Sequence, residues 1–161
     1  MDKGNLSFFE LRLADEKDAQ SIIDITQEAF CAYKILTGAK TLDALEETID
    51  DVKNDINTKL VLIAMNEGES VGCVRVEIMP DNTAYLTRFA VKVTCQNNGI
   101  GKSMMNNVDK MMKKSGVKRI SLYTASKATA LMRFYYGRGF YVESTDSDGG
   151  YIRAKLVKEY L

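Results

Sequence analysis

The sequence has no histidine, one proline and three cysteines in 161 residues. Without histidine, Ser-His and Cys-His nucleophile systems are impossible and an imidazole metal site is excluded, so we expect no bound metal. The three cysteines, Cys31, Cys73 and Cys95, are odd in number and widely spaced. A chain of this length needs no disulfide bonds to be stable. This cysteine usage is typical of a reducing compartment, and we therefore expect a cytoplasmic location.

An excess of charge of either sign is also missing. The 22 Lys and Arg residues balance the 22 Asp and Glu residues, so we expect neither a nucleic-acid partner nor an anionic membrane surface. No apolar run approaches the ~20 residues that a membrane span requires, and the first residues lack the apolar region of a signal peptide. Length and composition favour a single domain over residues 1–161 with a sizeable core.

Hydrophobic periodicity predicts strands and helices along the whole chain. Strands are expected at residues 8–13, 59–66, 71–79, 83–93, 117–124, 140–145 and 151–158. Helices are expected from Asp15, over residues 42–57, from Ile100, and from an N-cap at Ser126 to Gly137 or Gly139. The resulting order is β-α-α-β-β-β-α-β-α-β-β, and the helix between the fourth and fifth strands indicates a crossover between roughly parallel neighbours, as in α/β folds.

The most informative stretch joins the strand end at Phe89, Ala90 and Val91 to the helix that starts near Ile100. The turn between them bears glycine, and the free N–H groups of a first helical turn favour phosphate oxygens. A P-loop would need a glycine at Gln96, and a dinucleotide fingerprint would need one at Met104. Both motifs fail, which leaves an anion site of another kind.

The pattern that fits is V-x-x-x-x-[R/Q]-x-x-G-x-G, carried by Val91, Gln96, Gly99 and Gly101. This resembles the acetyl-CoA-binding signature of the GNAT superfamily of acyl-CoA N-acyltransferases. The resemblance implies a mixed, mostly antiparallel sheet of six to seven strands with helices on both faces, and acetyl-CoA as cosubstrate. The residues implied to bind it are Phe89, Ala90, Val91, Gln96, Asn97, Asn98, Gly99, Ile100, Gly101, Lys102, Ser103 and Ala128. The alternative is a phosphate-binding α/β domain of another kind, for which the match of these four residues to the pattern would be a coincidence.

A second motif of the same family, Y-x-x-x-G-F, is matched by Tyr135, Gly139 and Phe140. The resemblance implies that Tyr135 acts as the general acid at the departing thiolate, and the plainer alternative is that Tyr135 only packs. Ala128 stands where the family often has an asparagine that contacts pantetheine, which weakens that half of the cofactor site.

The general base is harder to assign. An alkyl ammonium with a pKa near ~10.4 costs about 4.6 kcal/mol to neutralise at pH 7 and calls for a base, whereas an α-amino group near ~8 costs only about 1.4 kcal/mol and can manage with a water chain. Without histidine, a carboxylate is the obvious candidate for that base. Some family members place a glutamate at the position of Tyr85, which rules out that assignment here. Glu77 is our candidate base, and an ion pair with Arg75 or Arg88 is its alternative role. The acidic face of the helix at 42–57 could attract a cationic amine, although a solvated helix face is the simpler interpretation.

These observations predict an N-acetyltransferase that moves an acetyl group from acetyl-CoA to a primary amine of a small molecule, by direct attack in a ternary complex. A protein or peptide N-acetyltransferase and a catalytically weak, regulatory CoA-binding module are the alternatives. The expected partners are a small-molecule or peptide amine, with a homodimer also possible.

Overall fold

Within residues 9–160, which the computed structural model describes, seven strands form one mixed sheet. The strands are β1 Glu10–Leu13, β2 Leu60–Asn66, β3 Glu69–Ile78, β4 Thr83–Val91, β5 Arg119–Ala125, β6 Tyr141–Asp146 and β7 Arg153–Glu159. Their order across the sheet is β1-β2-β3-β4-β5-β7-β6, and only β4 and β5 are parallel neighbours. The predicted start of the first strand, residue 8, lies outside the described residues, as do the ends of the predicted domain.

Four α-helices connect the strands, namely α1 Ala19–Thr37, α2 Ile49–Thr58, α3 Ile100–Lys114 and α4 Thr129–Gly137. The predicted order of elements is therefore confirmed. Two separate clusters of buried side chains show that helices cover both faces of the sheet, since α1 and α2 contribute to one cluster, and α3 and α4 to the other. No helix in the described part of the chain is long and apolar enough to cross a bilayer.

Both faces are buried because β3 alternates its side chains between the two clusters. Val74 and Val76 pack towards α3, whereas Cys73 packs towards α1 and Arg75 points to the same side. A strand covered on both faces can bury every side chain, and residues 71–76 are all buried.

The start of α1 follows the predicted capping residues with one difference. The Asp15 carboxylate accepts a hydrogen bond from the Lys17 amide, and the Asp18 carboxylate accepts one from the Asp15 amide, at 2.9 and 2.8 Å. This capping box opens a short 3-10 turn, Glu16–Asp18, and α1 proper begins only at Ala19. The helix ends at Gly38, whose left-handed φ of 75° suits glycine.

The predicted helix over residues 42–57 is wrong in its first half. A 3-10 turn, Asp43–Leu45, is followed by a break, and α2 begins after Thr48. Thr48 and Asp51 form their own capping box, because the Thr48 hydroxyl accepts from the Asp51 amide while the Asp51 carboxylate accepts from the Thr48 amide. The T-x-x-D spacing was the sequence signal for this restart.

The predicted N-cap of α4 at Ser126 is also wrong. The Ser126 amide donates to the Ile152 carbonyl at 3.0 Å and so prolongs the hydrogen bonding between β5 and the chain before β7. Ala128 is the residue that precedes the helix, and it provides no side-chain cap.

Candidate active site

A gap opens between β4 and β5, the two parallel neighbours. Their pairing is confined to Thr83–Arg119, Ala84–Ile120 and Tyr85–Ser121. Both strands then continue, β4 to Val91 and β5 to Ala125, without pairing to each other in the described part of the chain. The facing edges therefore leave backbone donors and acceptors free to bind an extended ligand.

A β-bulge in β4 lies beside the start of the gap. Cys73 of β3 is opposite Ala90, but Arg75 is opposite Thr87, so one extra residue of β4 faces Val74. Arg88 lies in the bulge and has a left-handed φ of 54°, which is uncommon for a residue other than glycine. Because a bulge bends its strand, it turns the end of β4 away from β5.

The amides of Phe89 and Val91 face this gap. The Lys92 amide donates to the Val71 carbonyl at 2.8 Å, towards β3. Since successive amides of a strand point to opposite sides, the Val91 amide points towards β5, and so does that of Phe89 two residues earlier. These two N–H groups are the donors that the β4 edge offers.

The predicted glycine turn leads directly into α3. Asn97 and Gly99 both have left-handed φ values, 67° and 82°. Gln96 donates through its side-chain amide to the Val91 carbonyl at 3.2 Å, which ties the turn to the strand end. No side chain caps α3, so the amides of its first turn are open to an anion.

The glycines of the turn serve different ends. At Gly99, the left-handed backbone favours glycine. Lack of space is not the cause, since an added Cβ would meet nothing within 4 Å. At Gly101, space is the reason, because an added Cβ would lie 3.0 Å from Cζ of Phe89 and 3.7 Å from a methyl group of Val91. A side chain at residue 101 would therefore force the Phe89 ring to shift by a few tenths of an ångström.

The other predicted residues of the turn fall at the same helix start. Ile100 is buried and anchors α3 in the core, whereas Asn98 and Lys102 are exposed and Ser103 is half-buried. The Ser103 amide makes the first helical hydrogen bond, to the Gly99 carbonyl at 3.0 Å. Amide groups, a lysine ammonium and a hydroxyl thus surround the open end of α3, a donor set that fits a pyrophosphate.

Tyr135 projects from α4 into an aromatic cluster and is buried. Its ring lies 6.1 Å from that of Phe89 and 5.4 and 5.6 Å from those of Phe134 and Phe140, between ring centroids. Burial, and secondly the neighbouring Tyr33, raise the pKa of the Tyr135 phenol well above its usual value. The phenol is therefore protonated at neutral pH and can act only as a hydrogen-bond or proton donor of modest strength.

Ala128 is buried at the start of α4. Its carbonyl accepts a hydrogen bond from the Met132 amide at 2.9 Å. The position that could carry a pantetheine-binding amide thus offers no side-chain donor.

The interpretation of Glu77 as the partner of Arg75 or Arg88 is wrong. Arg75 is fully buried and binds the carboxylate of Glu47 through both terminal nitrogens, at 2.9 and 2.6 Å. Nε of Arg88 also approaches Glu47, at 3.4 Å. The cation near Glu77 is Lys59, at 4.0 Å.

Glu77 lies opposite Tyr85, where β4 is still paired with β5. At about 3.3 Å per residue, roughly 15 Å of β4 separates this position from Ala90. An amine held beside Ala90 would therefore lie beyond direct reach of the Glu77 carboxylate, and a base role there would require intervening water. The base assignment itself stays a prediction.

The acidic residues of the α2 region are largely engaged within the protein. Glu47 and Asp55 bind Arg75, with Asp55 at 2.9 Å, and Asp51 belongs to the capping box of α2. Glu47 and Asp55 are thus bound within the protein, so the simpler interpretation of a solvated helix face is wrong for these two residues.

Tyr33, a residue of α1 that no sequence motif marks, lies against the end of β5. Its hydroxyl accepts a hydrogen bond from the Ala125 amide at 2.8 Å. No local signal marks this contact, because 92 positions of sequence separate the two residues. Among the described residues, no group of three or more histidine, cysteine or acidic side chains could hold a metal ion.

Comparison with known proteins gives a consistent family assignment. Residues 22–140 match the sequence model of the acetyltransferase (GNAT) family. A spermidine N(1)-acetyltransferase from Thermoplasma acidophilum is 24% identical over 147 residues, which cover 85% of this chain and 91% of that protein.

Solved structures show the same fold. The crystal structure of PaiA N-acetyltransferase from Thermoplasma acidophilum in complex with coenzyme A has a TM-score of 0.83 at 24% identity, covering 94% of this chain and 99% of the other. The ribosomal-protein-S18-alanine N-acetyltransferase from Escherichia coli has a TM-score of 0.78 at 14% identity, covering 94% of both chains. The mixed, mostly antiparallel sheet of six to seven strands with helices on both faces, implied by the family resemblance, is thereby confirmed.

Proposed function

Because the chain belongs to the GNAT family of acetyltransferases, we propose that this acetyl-CoA-dependent N-acyltransferase acetylates a primary amine of a small molecule. The amine attacks the acetyl group directly, within a ternary complex. The observation that carries the proposal is the gap between β4 and β5 beside the open end of α3, with the amides of Phe89 and Val91 on its β4 edge. The ring of Tyr135 lies 6.1 Å from that of Phe89, which supports its assignment as the acid.

The donor side would be held by the turn and the edge of β4. Lys102 and Ser103 add side-chain donors to the open amides of α3, and the edge of β4 would bind the pantetheine arm as an added strand. The residues that we assign to donor binding are Phe89, Ala90, Val91, Gln96, Asn97, Asn98, Gly99, Ile100, Gly101, Lys102, Ser103 and, through its backbone, Ala128.

For acyl transfer, the chain must stabilise the charge that builds on the thioester oxygen. A fixed amide of residues 89–91 can donate to that oxygen without reorganisation, an effect commonly worth ~3 kcal/mol. Tyr135 would then protonate the departing thiolate. Its raised pKa keeps the proton available across the neutral range, so we expect no loss of activity from Tyr135 ionisation below about pH 10.

The small-molecule acceptor is supported by the curated relative, which is named for spermidine. An amine of this kind must lose a proton before it attacks. We assign that step to water that leads from the gap towards Glu77, because the carboxylate is too distant for direct contact.

A regulatory CoA-binding module is the second candidate, and the buried Ala128 favours it. An alanine at this position leaves the cofactor one side-chain hydrogen bond short. The cytoplasmic location and the homodimer stay predictions, and the free state of Cys31, Cys73 and Cys95 supports the former.

Release of the CoA thiol from acetyl-CoA, measured across polyamines, amino acids and short peptides, tests the proposal. We expect turnover with a small primary amine. Tyr135→Phe should lower kcat by about 10²-fold and leave the acetyl-CoA Kd unchanged in calorimetry, because the substitution removes only the hydroxyl.

Tyr136→Phe is the matched control, since Tyr136 is the next residue of α4 and half-exposed, and its kcat should equal that of the wild type. An unaltered kcat in Tyr135→Phe would refute the role of general acid. Acetyl-CoA binding without turnover of any amine would instead favour the regulatory module.

A further inference from the structure

Arg88 has an unusual backbone for a residue inside a strand. Four described residues other than glycine have a left-handed φ, and three of them, Glu67, Asn82 and Asn97, lie in turns. The fourth, Arg88, lies at the bulge within β4, with a φ of 54°. A backbone of this kind is strained in a residue with a side chain and persists only where the surrounding structure holds it. We therefore looked for the contacts that hold the bulge on each face of the sheet.

On the face covered by α1 and α2, the side chain of Arg88 is held by a carboxylate. Its Nε lies 3.4 Å from Oε2 of Glu47, and the two side chains are only 23% and 8% exposed. This contact is an ion pair without a hydrogen bond, because Nε of Arg88 has no hydrogen-bond partner in the described structure. Glu47 is also the only ion-pair partner of Arg88 among the residues that the structure describes. One carboxylate therefore provides the electrostatic attachment of the bulge on this face.

Glu47 is itself fixed by Arg75 of β3. The fully buried guanidinium of Arg75 donates to both carboxylate oxygens of Glu47, at 2.9 and 2.6 Å. Glu47 lies between the 3-10 turn Asp43–Leu45 and α2, so the same carboxylate joins this segment to β3 and to the bulge of β4. Arg75, Glu47 and Arg88 thus form a continuous chain of charges from β3 to the bulge.

On the opposite face, the next residue of β4 is held by aromatic rings. The ring of Phe89 stacks on that of Phe134, with centroids 5.4 Å apart and 14° between the ring planes, and it also contacts the ring of Tyr135. Charge thus holds Arg88 on one face, while packing holds Phe89 on the other. The peptide unit that joins these two residues is planar, so the backbone angles of Arg88 help to set the direction of the Phe89 N–H. Relaxation of the strained Arg88 backbone would turn this N–H away from the gap.

We propose that Arg88 is a positioning residue for acyl transfer, whose ion pair with Glu47 holds the bulge so that the Phe89 amide points at the thioester oxygen. The inference rests on the proposed function, which assigns that oxygen to an amide of residues 89–91, and it adds the side chains that aim the amide. A misplacement of about 1 Å in an active site can cost about 10²-fold in rate. Loss of the ion pair should therefore lower kcat, although the guanidinium touches neither substrate in this role.

The test measures kcat, the amine KM and the acetyl-CoA Kd, with the best acceptor from the panel of polyamines, amino acids and peptides. Arg88→Met keeps an unbranched stem without the charge, and kcat should fall by about tenfold or more. The acetyl-CoA Kd should stay unchanged, because the glycine turn is intact. Arg88→Lys keeps a cation and should recover part of the loss. Arg88→Gly should also retain a higher kcat than Arg88→Met, because glycine adopts the left-handed backbone without strain and needs no ion pair to hold it.

A double-mutant cycle tests the connection to Glu47. Glu47→Gln removes the charge that faces Arg88 and should also lower kcat. The double variant Glu47→Gln and Arg88→Met should be no slower than the slower single variant, because both changes break the same contact. Arg119→Met is the control, since it removes an arginine that pairs with Glu143 at the surface, and its kcat should equal that of the wild type.

Thermal melting identifies any variant that fails to fold, and kcat is compared well below each Tm. A wild-type kcat in folded Arg88→Met, or in Glu47→Gln if Arg88→Met does not fold, would overturn the positioning role while the proposed function stands. A higher amine KM at unchanged kcat, or equal losses in Arg88→Met and Arg88→Gly, would also overturn it, because the guanidinium would then act on the substrate itself. Losses that multiply in the double variant would refute the connection to Glu47. A wild-type enzyme that acetylates no amine would remove the proposed function and the positioning role together.

Discussion

Arg75 offers a sharp test of how the face of the sheet covered by α1 and α2 is stabilised. It is fully buried in β3 and donates three hydrogen bonds, two to Glu47 and one to Asp55, at 2.6 to 2.9 Å. Glu47 also lies 3.4 Å from Arg88, the residue in the β4 bulge. Arg75→Leu would remove the central cation and leave two poorly hydrated carboxylates.

The magnitude follows from how much of each carboxylate is left without a partner. Removing one member of a buried ion pair costs about 3–5 kcal/mol. The Glu47 side chain is only 8% exposed, but it keeps Arg88, and Asp55 keeps Lys59 at 3.2 Å. We therefore expect the lower part of the range, about 3 kcal/mol, and a Tm lower by roughly 6–12 °C for a chain of this size.

Urea unfolding followed by circular dichroism measures this loss in the free energy of unfolding. Arg119→Leu is the control, because Arg119 pairs with Glu143 at the surface, where their side chains are 35% and 32% exposed, and the cost should be much smaller. Adding Glu47→Gln to Arg75→Leu should recover part of the loss, because it removes the orphaned charge. Equal losses in Arg75→Leu and Arg119→Leu would refute the reasoning.

Two further predictions concern the cofactor turn and the start of α1. Gly101→Glu should abolish acetyl-CoA binding in calorimetry, because its Cβ would crowd Cζ of Phe89 at 3.0 Å and its carboxylate would repel an anion at the helix start. Lys110→Glu, farther along α3, is the control, and an unchanged affinity in Gly101→Glu would mean that the site lies elsewhere. The Arg12 guanidinium donates to both oxygens of the Asp18 carboxylate, at 2.8 and 2.9 Å, and lowers the pKa of Asp18. The ionised Asp18 therefore stabilises the fold at neutral pH, and this contribution is lost as the pH falls through the lowered pKa. Asp18→Asn should therefore be less stable than the wild type at pH 7, and this difference in the free energy of unfolding should shrink in urea melts at acid pH. A difference that does not change with pH would contradict this.

Much of the fold could be predicted from patterns that span only a few residues. The helical region of α1 starts at the predicted residue Asp15, which caps it, although a 3-10 turn precedes the α-helix itself. The wrong predictions fall where a tertiary contact outweighed a local sequence signal. Ser126 has the right residue type for an N-cap, yet its amide is taken by the β5–β7 pairing.

For the site, the sequence predicted the elements that carry Val91, Gln96, Gly99 and Gly101, and the structure places these residues at a strand end, a turn and a helix start. Only the folded structure shows that the two glycines are favoured for different physical reasons, since the crowding at Gly101 comes from Phe89. Their roles in binding acetyl-CoA stay predictions.

The sequence by itself determined the order of elements and the glycine turn, because periodicity, caps and left-handed residues act within a few positions of the chain. Only the tertiary structure decided the partners of Arg75, the gap between β4 and β5, and the contact of Tyr33 with Ala125. Those features depend on strand register and on how α1 packs across the sheet. Both join residues far apart in sequence, and no local pattern specifies them.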